Sequence, residues 1–171
     1  LLHGAGDTVT KGDFHFKDGE LTVKLLERIK PTDTSFGATY QEKTKAICKL
    51  MRKEYDLLRE EKETVNYYRA RLIRNYIFKG PVLEWYCRIK TGLEKNYQLF
   101  ESLMPKNGKI VDVGCGYGFL PYMLMFKGRE REILGVDYDD EKIAVADNCV
   151  DKSNKLSFAV GDVTVYDFPQ A

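Results

Sequence analysis

The sequence predicts an α/β protein with a parallel sheet, and three observations in its carboxyl-terminal part carry that expectation. Ile110–Val113, Glu132–Asp137 and Leu156–Val160 are short apolar segments of strand length. Helical patterns around Leu120–Phe126 and Glu141–Asn148 separate them. Strands that alternate with helices at this spacing form βαβ units, whose strands run parallel.

The rest of the chain sets bounds. With 171 residues, 43% of them hydrophobic, it is long enough for one ordinary domain or two small ones. Its 27 basic and 26 acidic residues leave a formal charge of +1. No global field draws it to a polyanion, so a nucleic-acid partner is not expected. Cys48, Cys87, Cys115 and Cys149 are scattered, and only His3 and His15 could complete a metal site, which predicts reduced thiols and no metal. The longest apolar run, Phe119–Phe126, is interrupted by Pro121 and falls far short of the roughly 20 apolar residues of a membrane helix. The chain starts at Leu1 without an initiator methionine and stops at Ala171 just after a strand pattern, which reads as a piece of a longer polypeptide.

Three zones follow in order. In residues 1–36, Asp18-Gly19 stands between Phe14–Lys17 and Glu20–Leu25, the signal of a β-hairpin. Leu21, Val23 and Leu25 share one face of the second strand and require a sheet to pack on. In residues 37–80, Tyr40–Phe78 contains neither Gly nor Pro and carries Ile47, Leu50, Leu58, Val65, Leu72 and Ile73 at helical spacing, so one long connecting helix is predicted, or two. Gly80-Pro81 ends it. Residues 81–171 open with a further helix that starts at Pro81 and runs toward Pro105, then enter the α/β pattern.

The chemistry gathers where the first strand of that pattern ends. Lys109–Val113 runs into Gly114-Cys115-Gly116-Tyr117-Gly118 and then a helix. Such a turn brings backbone close to a ligand, because glycine has no Cβ and accepts positive φ. A nicotinamide-binding fingerprint would need a third Gly or Ala where Phe119 stands, and a phosphate-binding P-loop would need Gly-Lys-Ser or Gly-Lys-Thr; both are absent. The pattern acidic-x-Gly-x-Gly-x-Gly, with Asp112 as its acidic member, resembles motif I of class I S-adenosylmethionine-dependent methyltransferases. The resemblance implies a Rossmann-like methyltransferase sheet, here truncated, and S-adenosylmethionine as cofactor, cradled by Asp112, Gly114, Gly116 and Gly118. Asp112 would meet the cofactor's ammonium group directly or through water.

Two further positions agree at one-unit spacing. Asp137 ends its strand 25 residues after Asp112, where a carboxylate can accept from both ribose hydroxyls, and Tyr138 could flank the adenine. Asp162 lies another 25 residues on, ending the third strand in Gly161-Asp162-Val163. By the resemblance, the Asp162 side chain accepts from the adenine amino group and the Val163 amide donates to the ring. Cys115 is expected to be a small filler rather than a nucleophile. Upstream, Trp85 is expected in the core and Arg88 and Lys90 in solvent; the alternative has one of the two cations meeting the cofactor's methionine carboxylate or an acidic substrate.

The amino-terminal zone, Leu2–Asp7 through Lys11–Phe14 to Leu21–Val23, looks like the tail of a lysophospholipid acyltransferase domain, without that family's His-x-x-x-x-Asp pair: His3 is followed five places on by Thr8, and His15 by Glu20. The whole is similar to bacterial multidomain proteins that fuse a lipid-exporter-like region, an acyltransferase and a methyltransferase. That implies a small-molecule or lipid-linked methyl acceptor, a cytoplasmic location at the membrane face, and catalytic residues beyond this chain, unknown here. A truncated sheet with a bare central strand predicts self-association. The competing reading is a non-catalytic structural or interaction segment joining acyltransferase to methyltransferase.

Overall fold

The computed structural model describes residues 1–5, 19–94, 96–128 and 130–168. The chain divides into two units, Leu1–Lys62 and Glu63–Ala171. In the first, β1 (Leu2–His3) pairs antiparallel with β2 (Thr22–Val23), Leu2 opposite Val23. Phe14–Lys17, the expected first arm of the hairpin, lies outside the described residues. Among the described residues Leu21, Val23 and Leu25 are 54%, 63% and 89% exposed. Two-residue strands are too short to cover that face. His3 points the other way and is buried, its ring 6.3 Å from that of Tyr55.

The Gly- and Pro-free stretch forms two helices, α1 (Tyr40–Lys62) and α2 (Val65–Arg74), followed by a 3-10 turn at Ile77–Lys79. Helix α1 starts in a capping box: the Glu42 amide donates to Thr39 Oγ1 at 3.3 Å, while Glu42 Oε2 accepts from the Thr39 and Ala38 amides at 3.0 Å. Thr64 starts α2 by accepting from the Tyr67 amide at 3.4 Å, a cap available to any helix that restarts after Lys62. The helix at Pro81 is likewise shorter than expected. It ends as α3 (Pro81–Leu93) where Glu94 turns extended, and α4 (Asn96–Leu103) follows.

In the second unit, β3 (Asn107–Val113), β4 (Glu130–Asp137) and β5 (Leu156–Val160) form a parallel sheet in that spatial order, joined through α5 (Phe119–Lys127) and α6 (Asp140–Asp147). The α/β class and the parallel sheet are as the sequence predicts. Pro121 fits inside α5 because it falls in the first turn, where an amide has no intrahelical acceptor. Among the described residues β3 has a single neighbouring strand, so its outer edge is open.

The register explains the core. Ile110, Ile133 and Leu156 lie side by side across the three strands and are all buried. Two residues along each strand, on the same face, come Asp112, Gly135 and Phe158. Tyr68, Leu72 and Tyr76 of α2 and its end, Leu83 and Cys87 of α3, Tyr97 of α4 and Phe119, Tyr122 and Phe126 of α5 pack into the same cluster. Arg71 fastens α2 to the loop before β5 through a bidentate pair with Asp151, both bonds 3.0 Å. Arg131, fully buried on β4, donates to the Pro105 carbonyl at 2.8 Å and to the Leu124 carbonyl at 3.0 Å, and pairs with Glu101. Its buried charge is therefore met by two backbone carbonyls and one carboxylate.

Gly135 is dictated by its neighbours rather than by its backbone. A Cβ there would come within 2.7 Å of the Phe158 ring and 2.9 Å of Cys115 Sγ. Gly135→Ala is expected to destabilise the second unit by about 1–3 kcal/mol through overpacking, and Phe158→Leu in the same chain to recover part of that loss. Urea denaturation of the two variants checks it; a neutral Gly135→Ala would show that Phe158 does not fill this slot.

Candidate functional site

Carboxyl ends of parallel strands leave backbone groups and the following turns facing one crevice, where α/β proteins place ligands. Here the crevice is built by the Gly114–Gly118 turn after β3, the Asp137–Asp139 turn after β4 and the segment after β5. The glycine turn is anchored on β4: the Gly114 and Cys115 amides both donate to the Val136 carbonyl, at 2.8 and 3.1 Å. Gly114, Gly116 and Gly118 have φ of +76°, +55° and +77°, a left-handed alternation that a side chain at each place would strain. Two kinds of glycine result. A Cβ on Gly118 would strike the Phe158 ring at 2.7 Å, whereas Cβ atoms on Gly114 or Gly116 would enter open space, with nothing within 4 Å. Gly118 serves packing, and the other two keep a cradle free.

Asp137 is 7% exposed and closes the cradle. Its Oδ2 accepts from the Gly116 amide at 2.7 Å and its Oδ1 from the Asp139 amide at 3.0 Å. A carboxylate has about four lone-pair positions, so two remain after both amides are bound. Asp112 is one rung back on the same face. Burial, reinforced by the nearby charge of Asp137 and opposed by Lys90, lifts its pKa from 3.8 to about 6. Two carboxylates on one partly buried face create a strong preference for a cationic ligand. Cys115, beside them, is pushed up to about 12 by burial and by both carboxylates, so it holds its proton at neutral pH and acts as filler.

The third arm differs from the expectation. Strand β5 ends at Val160, and Gly161–Val163 is not strand, although the Gly161 amide still donates to the Asp137 carbonyl at 2.9 Å. Asp162 Oδ1 accepts from the Thr164 amide at 2.9 Å and from its hydroxyl at 2.7 Å, which lowers the Asp162 pKa and turns the chain out of the sheet. Asp162 and Val163 are exposed beyond the strand end. Tyr138 is 79% exposed next to Asp137, with Lys142 Nζ 5.9 Å from its ring centre.

Helix α3 supplies a side of the site that motif spacing did not reveal. Tyr86 lies edge-on to Tyr117 of the glycine turn with ring centres 5.9 Å apart, and the Tyr117 carbonyl accepts from the Tyr76 hydroxyl at 2.7 Å. A groove of about 960 Å³ starts there, lined among others by Leu83, Tyr86, Tyr117, Lys142 and Val145. Trp85 is 64% exposed and not in the core, because it falls on the helix face opposite the buried Leu83, Cys87 and Thr91. Arg88 is bonded to Glu84 and Lys90 is exposed. No group of three or more His, Cys, Asp or Glu side chains could hold a metal among the described residues.

Residues 110–171 match the family model of a methyltransferase domain. Solved structures similar to the chain include a TehB-like SAM-dependent methyltransferase from Corynebacterium glutamicum, 26% identical over 50% of this chain and 45% of that one, with a TM-score of 0.39. Another is the plantazolicin methyltransferase BpumL, in complex with a monoazolic desmethylPZN analog and SAH, 20% identical over 69% of this chain and 46% of that one, with a TM-score of 0.36. The chain thus spans less than half the length of either. No curated protein matches it.

The raised pKa of Asp112 has a consequence for folding. A carboxyl whose folded pKa is about 6 against 3.8 unfolded binds protons preferentially in the fold, so its contribution is intact below 3.8 and lost as pH rises through about 6. Asp112→Asn is expected to be more stable than the parent chain at pH 7, the gain shrinking as pH falls toward 4. Urea denaturation across that range tests it, and a pH-independent difference would contradict the buried-carboxylate account.

Proposed function

We propose that residues 110–171, which match the family model of a methyltransferase domain, bind S-adenosylmethionine and that the described crevice is the cofactor site. The observation that carries this reading is the Asp137 carboxylate, held by the Gly116 and Asp139 amides with two lone-pair positions left, beside a cradle that only missing Cβ atoms keep open. Asp137 accepts from the two ribose hydroxyls. Gly114 and Gly116 admit the amino-acid end, and Gly118 sets the turn from below. Asp112 receives the ammonium group, which the carboxylate pair favours over a neutral or anionic ligand. Tyr138 flanks the adenine, Asp162 accepts from the adenine amino group and the Val163 amide donates to the ring. The cofactor supplies a methyl group on a sulfonium sulfur; these residues bind and orient it, and orientation is the main source of acceleration in an in-line displacement.

The methyl acceptor is a small molecule or a lipid-linked group in this reading. The amino-terminal unit is the tail of an acyltransferase-like domain, and residues 37–80 connect it to the methyltransferase part at the cytoplasmic face of a membrane. Support for that context is the resemblance of residues 1–36; no helix among the described residues is long and apolar enough to cross a bilayer. Self-association is supported by two surfaces: the open outer edge of β3, and a stripe on α3 in which Val82, Trp85, Ile89 and Leu93 are 83%, 64%, 51% and 76% exposed. Sedimentation velocity of the chain is expected to show a concentration-dependent dimer or larger species, and a monomer at every concentration would end that part of the proposal.

Isothermal titration with S-adenosylhomocysteine tests the site. Asp137→Ala is expected to weaken binding by about 1–3 kcal/mol, since ribose hydroxyls lose a charged acceptor. Gly116→Val is expected to abolish binding, because its side chain enters the open cradle and also strains the left-handed turn. Normal affinity in both variants would place the cofactor elsewhere.

A further inference from the structure

The glycine turn is tied to β4 through its first residues, yet one of its peptides is held from elsewhere. The Tyr117–Gly118 peptide is fixed at both ends: the Gly118 amide donates to the Cys115 carbonyl at 2.9 Å, and the Tyr117 carbonyl accepts from the Tyr76 hydroxyl at 2.7 Å. The first bond is local, whereas the second comes from a residue 41 places earlier. Tyr76 can deliver it because its surroundings hold it still. Its side chain is fully buried, with the ring edge-on to Phe119 at 4.8 Å and to Tyr122 at 6.4 Å. Burial raises its pKa, so the hydroxyl stays a donor. Just before it, Asn75 Oδ1 accepts from the Asp151 amide at 3.1 Å, and one helical turn earlier Arg71 pairs with the Asp151 carboxylate. The end of α2 is thus fastened to the loop before β5, and the tyrosine that follows it holds the turn after β3.

That bond selects one conformation of a peptide whose own residues leave it free to rotate. Rotation changes ψ of Tyr117 and φ of Gly118, and glycine accepts φ of either sign, so local chemistry alone does not fix Gly118 at +77°. We propose that Tyr76 is a positioning residue for the cofactor: its hydroxyl, through the Tyr117 carbonyl, holds the Gly116–Gly118 segment in the left-handed form that keeps the cradle open. The inference rests on the cofactor reading above. In it Tyr76 acts through the turn, without touching the cofactor. A turn that visits other conformations binds only through its competent fraction, and the apparent affinity falls by that fraction. Helix α2 thereby acts on the cofactor site, a role that helical periodicity does not disclose.

Tyr122 provides a matched control within the same aromatic layer. It is equally buried, and its hydroxyl donates to a backbone carbonyl at the same 2.7 Å, but that carbonyl belongs to Ala146 of α6 and not to the turn. Phenylalanine at either place keeps the ring and removes one such bond. Urea denaturation of the whole chain is expected to show a similar loss of stability in Tyr76→Phe and Tyr122→Phe. Isothermal titration with S-adenosylhomocysteine is expected to separate them, with affinity at least fivefold weaker in Tyr76→Phe and within twofold of the unaltered chain in Tyr122→Phe. An unchanged affinity in Tyr76→Phe, or an equal loss in both variants, overturns the inference while the cofactor site stands. Hydrogen exchange of the unaltered, ligand-free chain decides the matter even where Tyr76→Phe does not fold. The Gly118 amide is expected to exchange as slowly as the Ile133 amide of β4, and exchange at the rate of an unstructured amide would show that the turn is not held. If the unaltered chain does not bind S-adenosylhomocysteine, the cofactor reading falls and takes the inference with it.

Discussion

The bond from the Gly116 amide to Asp137 Oδ2, 2.7 Å long, joins the two turns on which the crevice depends. Without it the glycine turn would be tied to β4 only through the Val136 carbonyl, and the left-handed φ at Gly116 would have no compensating partner. With it, one carboxylate satisfies the amide of the β3–α5 turn and, through its other oxygen, the Asp139 amide at the start of the β4–α6 turn. Asp139 then caps α6 by accepting from the Lys142 amide at 3.1 Å. The acidic residue is thus structural before any ligand arrives, and its remaining lone pairs are pre-aimed because the first two are occupied. Such preorganisation lowers the ordering cost of binding.

Beneath the turns, shape is governed by one ring. Phe158 is the register partner of Gly135, and its ring fills the space beside both Gly135 and the turn residue Gly118, where a Cβ would strike it. Its other neighbour, Tyr122, lies 5.8 Å away centre to centre and donates its hydroxyl to the Ala146 carbonyl at 2.7 Å, which holds α5 to α6. The glycine turn is therefore supported from below by an aromatic layer and from the side by Tyr76, whose hydroxyl reaches the Tyr117 carbonyl. Burial raises the pKa of the Tyr76 and Tyr122 hydroxyls, so both remain donors across any physiological pH.

The sheet is less evenly buried than its position in a parallel α/β layer suggests. Strand β4 is buried at five of its eight residues, whereas β3, which carries Asp112, is buried only at Ile110. The reason is the single neighbour of β3 among the described residues. Burial still lifts the Asp112 pKa, with Lys90 of α3 acting against it, and burial likewise raises the pKa of Tyr97 on α4, to which the charge of Asp112 adds.

Much of this was legible in the sequence. Local patterns determined the α/β class, the three strands to within a few residues, the intervening helices and the glycine turn, because strand length, helical period and left-handed glycines are consequences of nearest-neighbour chemistry. The even 25-residue spacing from Asp112 to Asp137 to Asp162 brought three carboxylates to successive strand ends. What the sequence left open involves partners distant along the chain. The end of β5 at Val160 depends on Asp162 turning onto Thr164 instead of continuing the ladder, and the exposure of Trp85 on which face of α3 meets the core. The bond from Arg69 Nη2 to the Arg88 carbonyl joins two helices that no local pattern pairs. Periodicity names the residues that share a face; only packing across the fold decides which face is covered and which charges are paired.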